Sequence, residues 1–228
     1  NQSQFSNNKV QSGYGGACYI EKVDDTKLID ISYKDNAALS GGAVYMISLK
    51  YISGMDIEFY NNTAEKDSGA ASINVAFYVN IFKVIFAENG VNLGNGLSCI
   101  IKTAKKTRVQ NCLFWGNKGS SGEVMLIHSV QATLFLHNNF TYNSASEILH
   151  IAVNEEIVIK RCKYANNTML GTRLFQILHC SNIMIKLCIF SHTKGISGTV
   201  LHVHHFKIMM NIRNTFQHSI NLGALYLL

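Results

Sequence analysis

Residues 33–43 read YKDNAALSGGA, and residues 59–70 read FYNNTAEKDSGA. Each segment begins with an aromatic residue, has an asparagine three positions later and closes with a Gly–Ala step. The same order of residue types returns along the chain at intervals of 24 to 28 residues. Because self-similarity at a fixed period is the signature of repeat architectures, the chain is predicted to be a stack of similar units.

Nine aromatic residues set the period of this repeat, and the first seven are followed three positions later by asparagine. The aromatic positions are Phe5, Tyr33, Phe59, Phe86, Phe114, Phe140, Tyr164, Phe190 and Phe216. The asparagines are Asn8, Asn36, Asn62, Asn89, Asn117, Asn143 and Asn167. In the last two copies Thr193 and Ser219 replace asparagine.

The repeat length selects one fold class. A coil of roughly 26 residues holds three short strands and three corners, and stacked coils bury one continuous apolar core. We therefore predict an all-β fold, a right-handed single-stranded parallel β-helix (solenoid) of about nine coils, with almost no α-helix. Residues 1–228 form one domain, interpreted as a segment of a longer chain or an assembly subunit. Propeller blades need about 40 to 50 residues, and the framework of leucine-rich repeats is missing.

Each repeated residue type has a predicted role. The aromatics point inward and stack on those of adjacent coils as a structural aromatic ladder. The asparagines occupy a corner, where they tolerate a left-handed backbone and form a structural Asn ladder. Glycines such as Gly41 and Gly42 supply positive φ or let two backbones approach closely.

Composition narrows the classes of partner. Proline is absent, which favours a chain of paired strands, and only 15% of residues are charged. The net charge is +6, yet the positive residues are scattered and form no basic stripe, so nucleic acid is not an expected partner. No apolar run reaches the 18 or more residues of a membrane helix, so this segment is expected to have no direct membrane span.

The aromatic-x-x-Asn motif followed by Gly-Gly-Ala resembles the repeats of chlamydial-type polymorphic outer-membrane proteins. It also resembles the related pectin-lyase-like repeats of large protist surface proteins. The clearest copies are residues 33–43 and 59–70, and the pattern fades after Asn167. The resemblance implies an exported right-handed β-helix that serves as an adhesive or structural passenger, and it implies no cofactor.

The cysteines and the glycosylation motifs also map onto the repeat. Cys112, Cys162 and Cys188 each lie two residues before an aromatic, in an inward column. Cys162 and Cys188 fall on adjacent coils about 4.8 Å apart, within disulfide range, although small buried thiols are the alternative. Sequons that overlap or adjoin the corner motif make three asparagines candidates for N-glycosylation: Asn61, Asn139 and Asn166.

No catalytic, cofactor-binding or metal-binding residues are assigned. Adjacent acidic pairs such as Asp24-Asp25 point to opposite faces of a strand, and Asp30 and Asp56 form an outward column without a partner base. His150, Gln176 and His202 share a predicted column, and His179 and His205 share another. Because no carboxylate or thiolate is evident beside them, the histidines are interpreted as corner or surface residues.

The sequence thus favours a non-enzymatic structural or adhesive β-helix module, extracellular or at the cell surface. Such a module could build a fibre or surface layer by end-to-end or lateral packing, with itself or with neighbouring β-helix segments. The alternative is a carbohydrate-binding or polysaccharide-degrading protein, with exposed tyrosines Tyr45, Tyr51 and Tyr60 stacking on sugar rings. An adhesin that binds a partner protein cannot be separated from the first reading by sequence.

Overall fold

A computed structural model describes residues 2–119, 121–195, 199–217 and 223–227. These residues form strands and turns, and none of them lies in a helix. The strands are β1 (Ser3–Ser6), β2 (Cys18–Glu21), β3 (Asp25–Lys34), β4 (Ala37–Ser40), β5 (Val44–Tyr60), β6 (Thr63–Asp67), β7 (Ala71–Phe82), β8 (Ile85–Ala87), β9 (Gly90–Val91), β10 (Cys99–Gln110), β11 (Leu113–Trp115), β12 (Lys118–Gly119), β13 (Glu123–Leu136), β14 (Asn139–Thr141), β15 (Ser144–Ala145), β16 (Glu147–Lys160), β17 (Lys163–Ala165), β18 (Thr168–Met169), β19 (Arg173–Lys186), β20 (Ile189–Ser191), β21 (Lys194–Gly195), β22 (Thr199–Ile212), β23 (Thr215–Gln217) and β24 (Gly223–Leu227).

Every strand pairs in parallel with the equivalent strand of the next coil. β5 pairs with β3 on one side and β7 on the other, and the pairing places Tyr33 opposite Phe59 and Phe59 opposite Phe86. One sheet contains 17 strands, and a second contains the seven short strands that follow the Asn corner. The prediction of an all-β parallel solenoid is confirmed, with about eight turns spaced by about 26 residues.

Single residues with positive φ turn the chain at its corners. One column of them lies two positions after each aromatic and includes Asp35, Asn61 and Asn166, with φ of 55°, 52° and 55°. A second column lies three positions before each aromatic from Tyr33 to Phe216 and includes Asp30 and Asp56. A left-handed residue bends the backbone sharply without a long loop, so consecutive strands can lie on different faces of one coil.

The repeated asparagines do not themselves adopt the left-handed conformation. Positive φ belongs to the residue immediately before them, such as Asp35 before Asn36 and Asn61 before Asn62. This part of the sequence interpretation was wrong. The repeated asparagine is fully buried, as at Asn62 and Asn89, because its side chain is needed inside the coil to bond the neighbouring coils.

An amide ladder joins seven consecutive coils. The Oδ1 atom of Asn89 accepts hydrogen bonds from the backbone N–H and the Nδ2 of Asn62, both 3.0 Å long. Its Nδ2 donates to the carbonyl of Phe59 at 3.0 Å, and its own N–H donates to Oδ1 of Asn117 at 2.9 Å. The same pattern runs from Asn8 to Asn167. Each inner asparagine therefore links three coils.

A second, shorter set of asparagine amides also forms hydrogen bonds between adjacent coils, at another corner. The sequence pattern did not predict it. Asn138 and Asn214 lie two residues before their aromatics, in the column of Cys112, Cys162 and Cys188. Oδ1 of Asn138 accepts from the Cys112 N–H at 2.9 Å, and Oδ1 of Asn214 accepts from the Cys188 N–H at 2.7 Å. The signal was weak because aliphatic residues and cysteines fill the rest of this column.

The nine aromatic rings form one continuous internal pile. Consecutive rings from Phe5 to Phe216 are stacked, with centroids 4.2 to 5.3 Å apart and planes within 17° of parallel. The rings from Tyr33 to Phe190 are at most 3% exposed, whereas Phe5 is 39% exposed. The stacked rings fix the distance between adjacent coils, because consecutive rings are in contact.

Glycine is required at the small-residue step for two different reasons. Gly41 has a φ of +63°, and the equivalent Gly15 has a φ of +64°. Gly42 has ordinary φ, but a Cβ there would collide with the carbonyl oxygen of Gly69 in the next coil. The predicted steps Ser197-Gly198 and Leu222-Gly223 lie wholly or partly outside the described residues.

Replacing Asn89 by leucine should lower the free energy of unfolding by about 3 kcal/mol or more. The change leaves the N–H of Asn62 and the carbonyl of Phe59 buried without their partners, and each such group costs about 1–3 kcal/mol. Urea unfolding measures the loss. The exposed Asn80→Leu variant is the control and should change stability by less than about 0.5 kcal/mol. Equal stability of the two variants would contradict a structural role for the ladder.

Candidate functional site

Among the described residues, a compact group of two carboxylates and an imidazole lies where two neighbouring long strands begin. Glu123 is the first residue of β13, Glu147 is the first residue of β16, and the two are paired across the coils. His150 lies three positions after Glu147 on the same strand. Its Nδ1 is 3.3 Å from Oε2 of Glu147 and 3.7 Å from Oε1 of Glu123. The group is called the Glu–His cluster below.

Local geometry explains why these three residues meet. Gly122, with a φ of +88°, turns the chain immediately before Glu123. The coil that follows has 24 residues, so Glu147 falls at the same point one coil later. The side chains of Glu123, Glu147 and His150 are 13%, 14% and 16% exposed, and the cluster is therefore mostly shielded from water.

The electrostatics of the cluster centre on His150. Burial by itself would lower the pKa of this imidazole, but the adjacent carboxylates of Glu123 and Glu147 outweigh it and raise the pKa to about 9. Arg173 adds a second positive charge, with Nη1 3.7 Å from Oε1 of Glu147. The carboxylates of the cluster thus lie beside two cationic groups, protonated His150 and Arg173.

The cluster has the donor set of a metal site. One carboxylate oxygen of Glu123, one of Glu147 and one ring nitrogen of His150 all lie within 4.8 Å of one another. Sequence analysis missed the two glutamates as neighbours of His150, and no metal ligand was assigned. The available signal was the 24-residue spacing of Glu123 and Glu147, which equals the spacing of Phe140 and Tyr164.

The predicted histidine columns are present. His150 pairs with Gln176, and Gln176 pairs with His202, along three adjacent coils. The rings of His179 and His205 are stacked, with centroids 4.8 Å apart. His128 lies on the coil before His150, and its ring meets that of His150 edge-on at 6.0 Å.

A shallow groove crosses the coils on another face of the solenoid. The groove lies between two columns of outward-pointing residues, and the surface formed by these two columns is called the groove face below. The first column is Tyr51, Tyr78, Lys106, Ala132, Glu156, Asn182 and Ile208. The second column is Ser53, Asn80, Arg108, Leu134, Val158, Met184 and Met210.

The two halves of the groove face differ in chemistry. A depression of about 350 Å³ lies between Tyr78, Asn80, Lys106 and Arg108. A second depression of about 250 Å³ is lined by residues from Glu156 to Met210, most of them apolar. One half therefore offers aromatic and basic groups, and the other offers exposed aliphatic and thioether side chains.

The three tyrosines proposed for sugar stacking lie on separate columns. Tyr45 stacks with Tyr19, with ring centroids 5.7 Å apart. Tyr51 stacks with Tyr78 at 5.2 Å and with planes 1° apart. Tyr60 lies under the Nζ of Lys34, 5.5 Å from the ring centre. They do not form one continuous aromatic surface.

The acidic residues considered for catalysis are dispersed. Asp30 and Asp56 are both exposed and share a column, and Lys83 supplies the next position with Nζ 3.9 Å from Oδ1 of Asp56. Asp24 pairs with Lys50 at 2.8 Å. These contacts are those of solvated surface ion pairs, which contribute little to stability.

The six cysteines are free thiols. Cys112, Cys162 and Cys188 are at most 2% exposed, in the inward column that the sequence indicated. The neighbouring Cys162 thiol lowers the pKa of Cys188, whereas burial raises the pKa of Cys162. The two cysteines lie on adjacent coils, and a disulfide between them stays a prediction.

Refolding in a glutathione redox buffer should form a disulfide between Cys162 and Cys188. Equivalent positions on adjacent coils lie about 4.8 Å apart, inside the range that a disulfide spans. Peptide mapping under non-reducing conditions identifies the linked pair. Cys112 is the internal control, because its neighbour in the column is Asn138 and it should remain alkylatable. A product in which Cys162 and Cys188 are alkylated like Cys112 would contradict the pairing.

The three sequons differ in accessibility. Asn61 and Asn166 are exposed at corners with positive φ. From its position just before an inward aromatic, Asn139 is expected to point outward and be accessible; this expectation was wrong, because Asn139 belongs to β14 and is only partly exposed, with its Oδ1 atom buried. The reason is that the inward Phe140 holds this segment in the sheet.

Two further observations bear on function. The described residues contain no helix long and apolar enough to cross a membrane. Comparison with known proteins gives no match: no protein-family model, no curated protein and no solved structure is significantly similar to the chain.

Proposed function

We propose that this chain is a non-enzymatic structural or adhesive module of the cell surface or extracellular space. The observation that carries the proposal is the interior, in which the aromatic pile runs from Phe5 to Phe216 and the amide ladder from Asn8 to Asn167. Such an interior stabilises a rigid rod and leaves the lateral faces to make contacts. The resemblance of the repeat motif to polymorphic outer-membrane and protist surface repeats supports the same role.

The apolar half of the groove face is the proposed contact surface. Ile208 and Met210 are 58% and 42% exposed, and Val158 and Met184 continue the column of Met210 on the preceding coils. Exposed apolar side chains grouped on one face mark interaction sites more often than scattered ones do. Lateral packing of two such faces would join modules side by side in a surface layer or fibre.

Met210→Glu should abolish lateral self-association. Sedimentation velocity over a range of protein concentrations measures the assembly state, and the unaltered protein should sediment faster as the concentration rises. Tyr142→Glu is the matched control, since Tyr142 is 58% exposed on a corner away from the groove face. A protein that stays monomeric at every concentration, or an unaffected Met210→Glu variant, would exclude this surface.

Carbohydrate binding is the second candidate, and the aromatic and basic half of the groove favours it. The rings of Tyr51 and Tyr78 stack on each other, and Nζ of Lys106 lies 6.0 Å from the centre of the Tyr78 ring. Arg108 is exposed on the adjacent column. Tyrosines beside cationic groups suit an acidic polysaccharide rather than a neutral one. Binding or cleavage of such a chain would both begin in this depression.

Binding to polygalacturonate should require Tyr78 and Lys106. Affinity electrophoresis in gels containing this polymer should retard the unaltered protein, and Tyr78→Ala and Lys106→Gln should migrate as they do without it. A gel containing neutral dextran controls for sieving, and Lys66→Gln, an exposed lysine elsewhere, controls for net charge. If Lys66→Gln and Lys106→Gln are retarded equally, the retardation depends on net charge alone and no specific site at Lys106 is supported.

A further inference from the structure

We propose that Glu123, Glu147 and His150 bind one divalent transition-metal ion of the zinc class on the side of the solenoid. The proposal does not depend on the structural, adhesive or carbohydrate-binding role. It concerns a site on a face that does not include the groove, built by three side chains from two adjacent coils.

The spacing of the donor atoms fits such an ion. With metal–ligand bonds of about 2.1 Å, neighbouring donors of a tetrahedral site lie about 3.4 Å apart. Nδ1 of His150 lies 3.3 Å from the Glu147 oxygen and 3.7 Å from the Glu123 oxygen. The two glutamate oxygens also lie within 4.8 Å of each other, so a small closure of the three side chains would place them at three corners of the coordination shell. The fourth corner would be open to water or to a donor from another molecule.

The hydrogen bonding of the cluster is incomplete. Oε2 of Glu123, Oε2 of Glu147 and Nδ1 of His150 are buried atoms that no well-aligned hydrogen bond reaches from the described residues. Buried polar atoms are paired in the large majority of cases, and an unpaired one costs free energy. A cation at the centre would satisfy Oε2 of Glu147 and Nδ1 of His150, and it would bind the Glu123 carboxylate through Oε1.

The pairing of two glutamates across adjacent strands favours a positive charge beside them. Protonated His150 supplies it in the absence of a metal, and a bound cation would supply it once Nδ1 has released its proton. Like charges directly opposite each other in a sheet are destabilising. Arg173 neutralises part of this charge from the side of Glu147, but it contacts the other oxygen, Oε1. Arg173 therefore competes electrostatically with a bound cation without occupying its position.

The donor chemistry distinguishes between metals. Calcium and magnesium take oxygen ligands, whereas an imidazole together with carboxylates suits zinc and its neighbours in the first transition row. His150 supplies that imidazole. Gln176, which is paired with His150 on the next coil, and the edge-on ring of His128 lie beside the site.

Isothermal titration of the full chain with zinc chloride, in a buffer that does not chelate zinc, tests the site. We expect one zinc ion per chain, with calcium chloride giving no comparable binding. Glu123→Gln and His150→Gln should weaken zinc binding at least tenfold, since even outer-shell changes around metals cost about 10- to 100-fold. Arg173→Gln should strengthen binding, because it removes a competing positive charge.

Two matched variants separate this site from adventitious binding. Glu155→Gln changes an exposed glutamate on the same strand, and His205→Gln changes an exposed histidine of the His179–His205 stack. Both should bind zinc as the unaltered protein does. Circular dichroism of each variant without metal verifies folding, and a cobalt(II) absorption spectrum reports low coordination number directly.

The proposal is overturned if the unaltered protein binds no zinc. It is equally overturned if Glu123→Gln and His150→Gln bind zinc as tightly as Glu155→Gln does. If both ligand variants lose their circular dichroism signal, Arg173→Gln decides, since unchanged or weaker zinc binding by this folded variant would exclude a cation at the Glu–His cluster.

Discussion

The fold depends on one repeated interaction, the bond between a buried asparagine amide and the coils on either side of it. Asn89 accepts from Asn62, donates to Phe59 and donates through its backbone to Asn117. An amide that contacts three coils allows one register, because a slip of a single residue would move every inward side chain to the outer face. The ring pile then fixes the distance between coils whose register the amides have set.

The same register determines which surface residues of adjacent coils lie next to each other. Glu123 meets Glu147, and Tyr51 stacks on Tyr78, because inward residues elsewhere in the same coils hold the backbone in phase. The outward positions contribute little to the core and can therefore differ in chemistry from coil to coil. The result is a scaffold with a mixed ionic cluster on one face and, on the groove face, an aromatic, basic half and an apolar half.

Prediction from sequence succeeded where a residue recurs with a packing role. Phe59 and Asn62 recur in phase, so the solenoid and its internal columns could be derived from spacing alone. The Glu–His cluster consists of two glutamates and one histidine that do not recur beyond two coils, so the repeat period could not predict that these residues meet. The left-handed corners were assigned one residue too late, because an asparagine such as Asn62 suits both a corner and a buried bridge. Asn138 escaped notice because cysteines fill its column.

The direction of the hydrogen bonds between coils has a mechanical consequence. They run along the axis of the rod, so a pull on the two ends loads successive coils in series and peels them from one end. Each coil released, about 26 residues, would add roughly 90 Å of extended chain. A load across the rod would instead be shared by many bonds at once. The solenoid would thus yield in steps when stretched and resist as a stiff bar when bent.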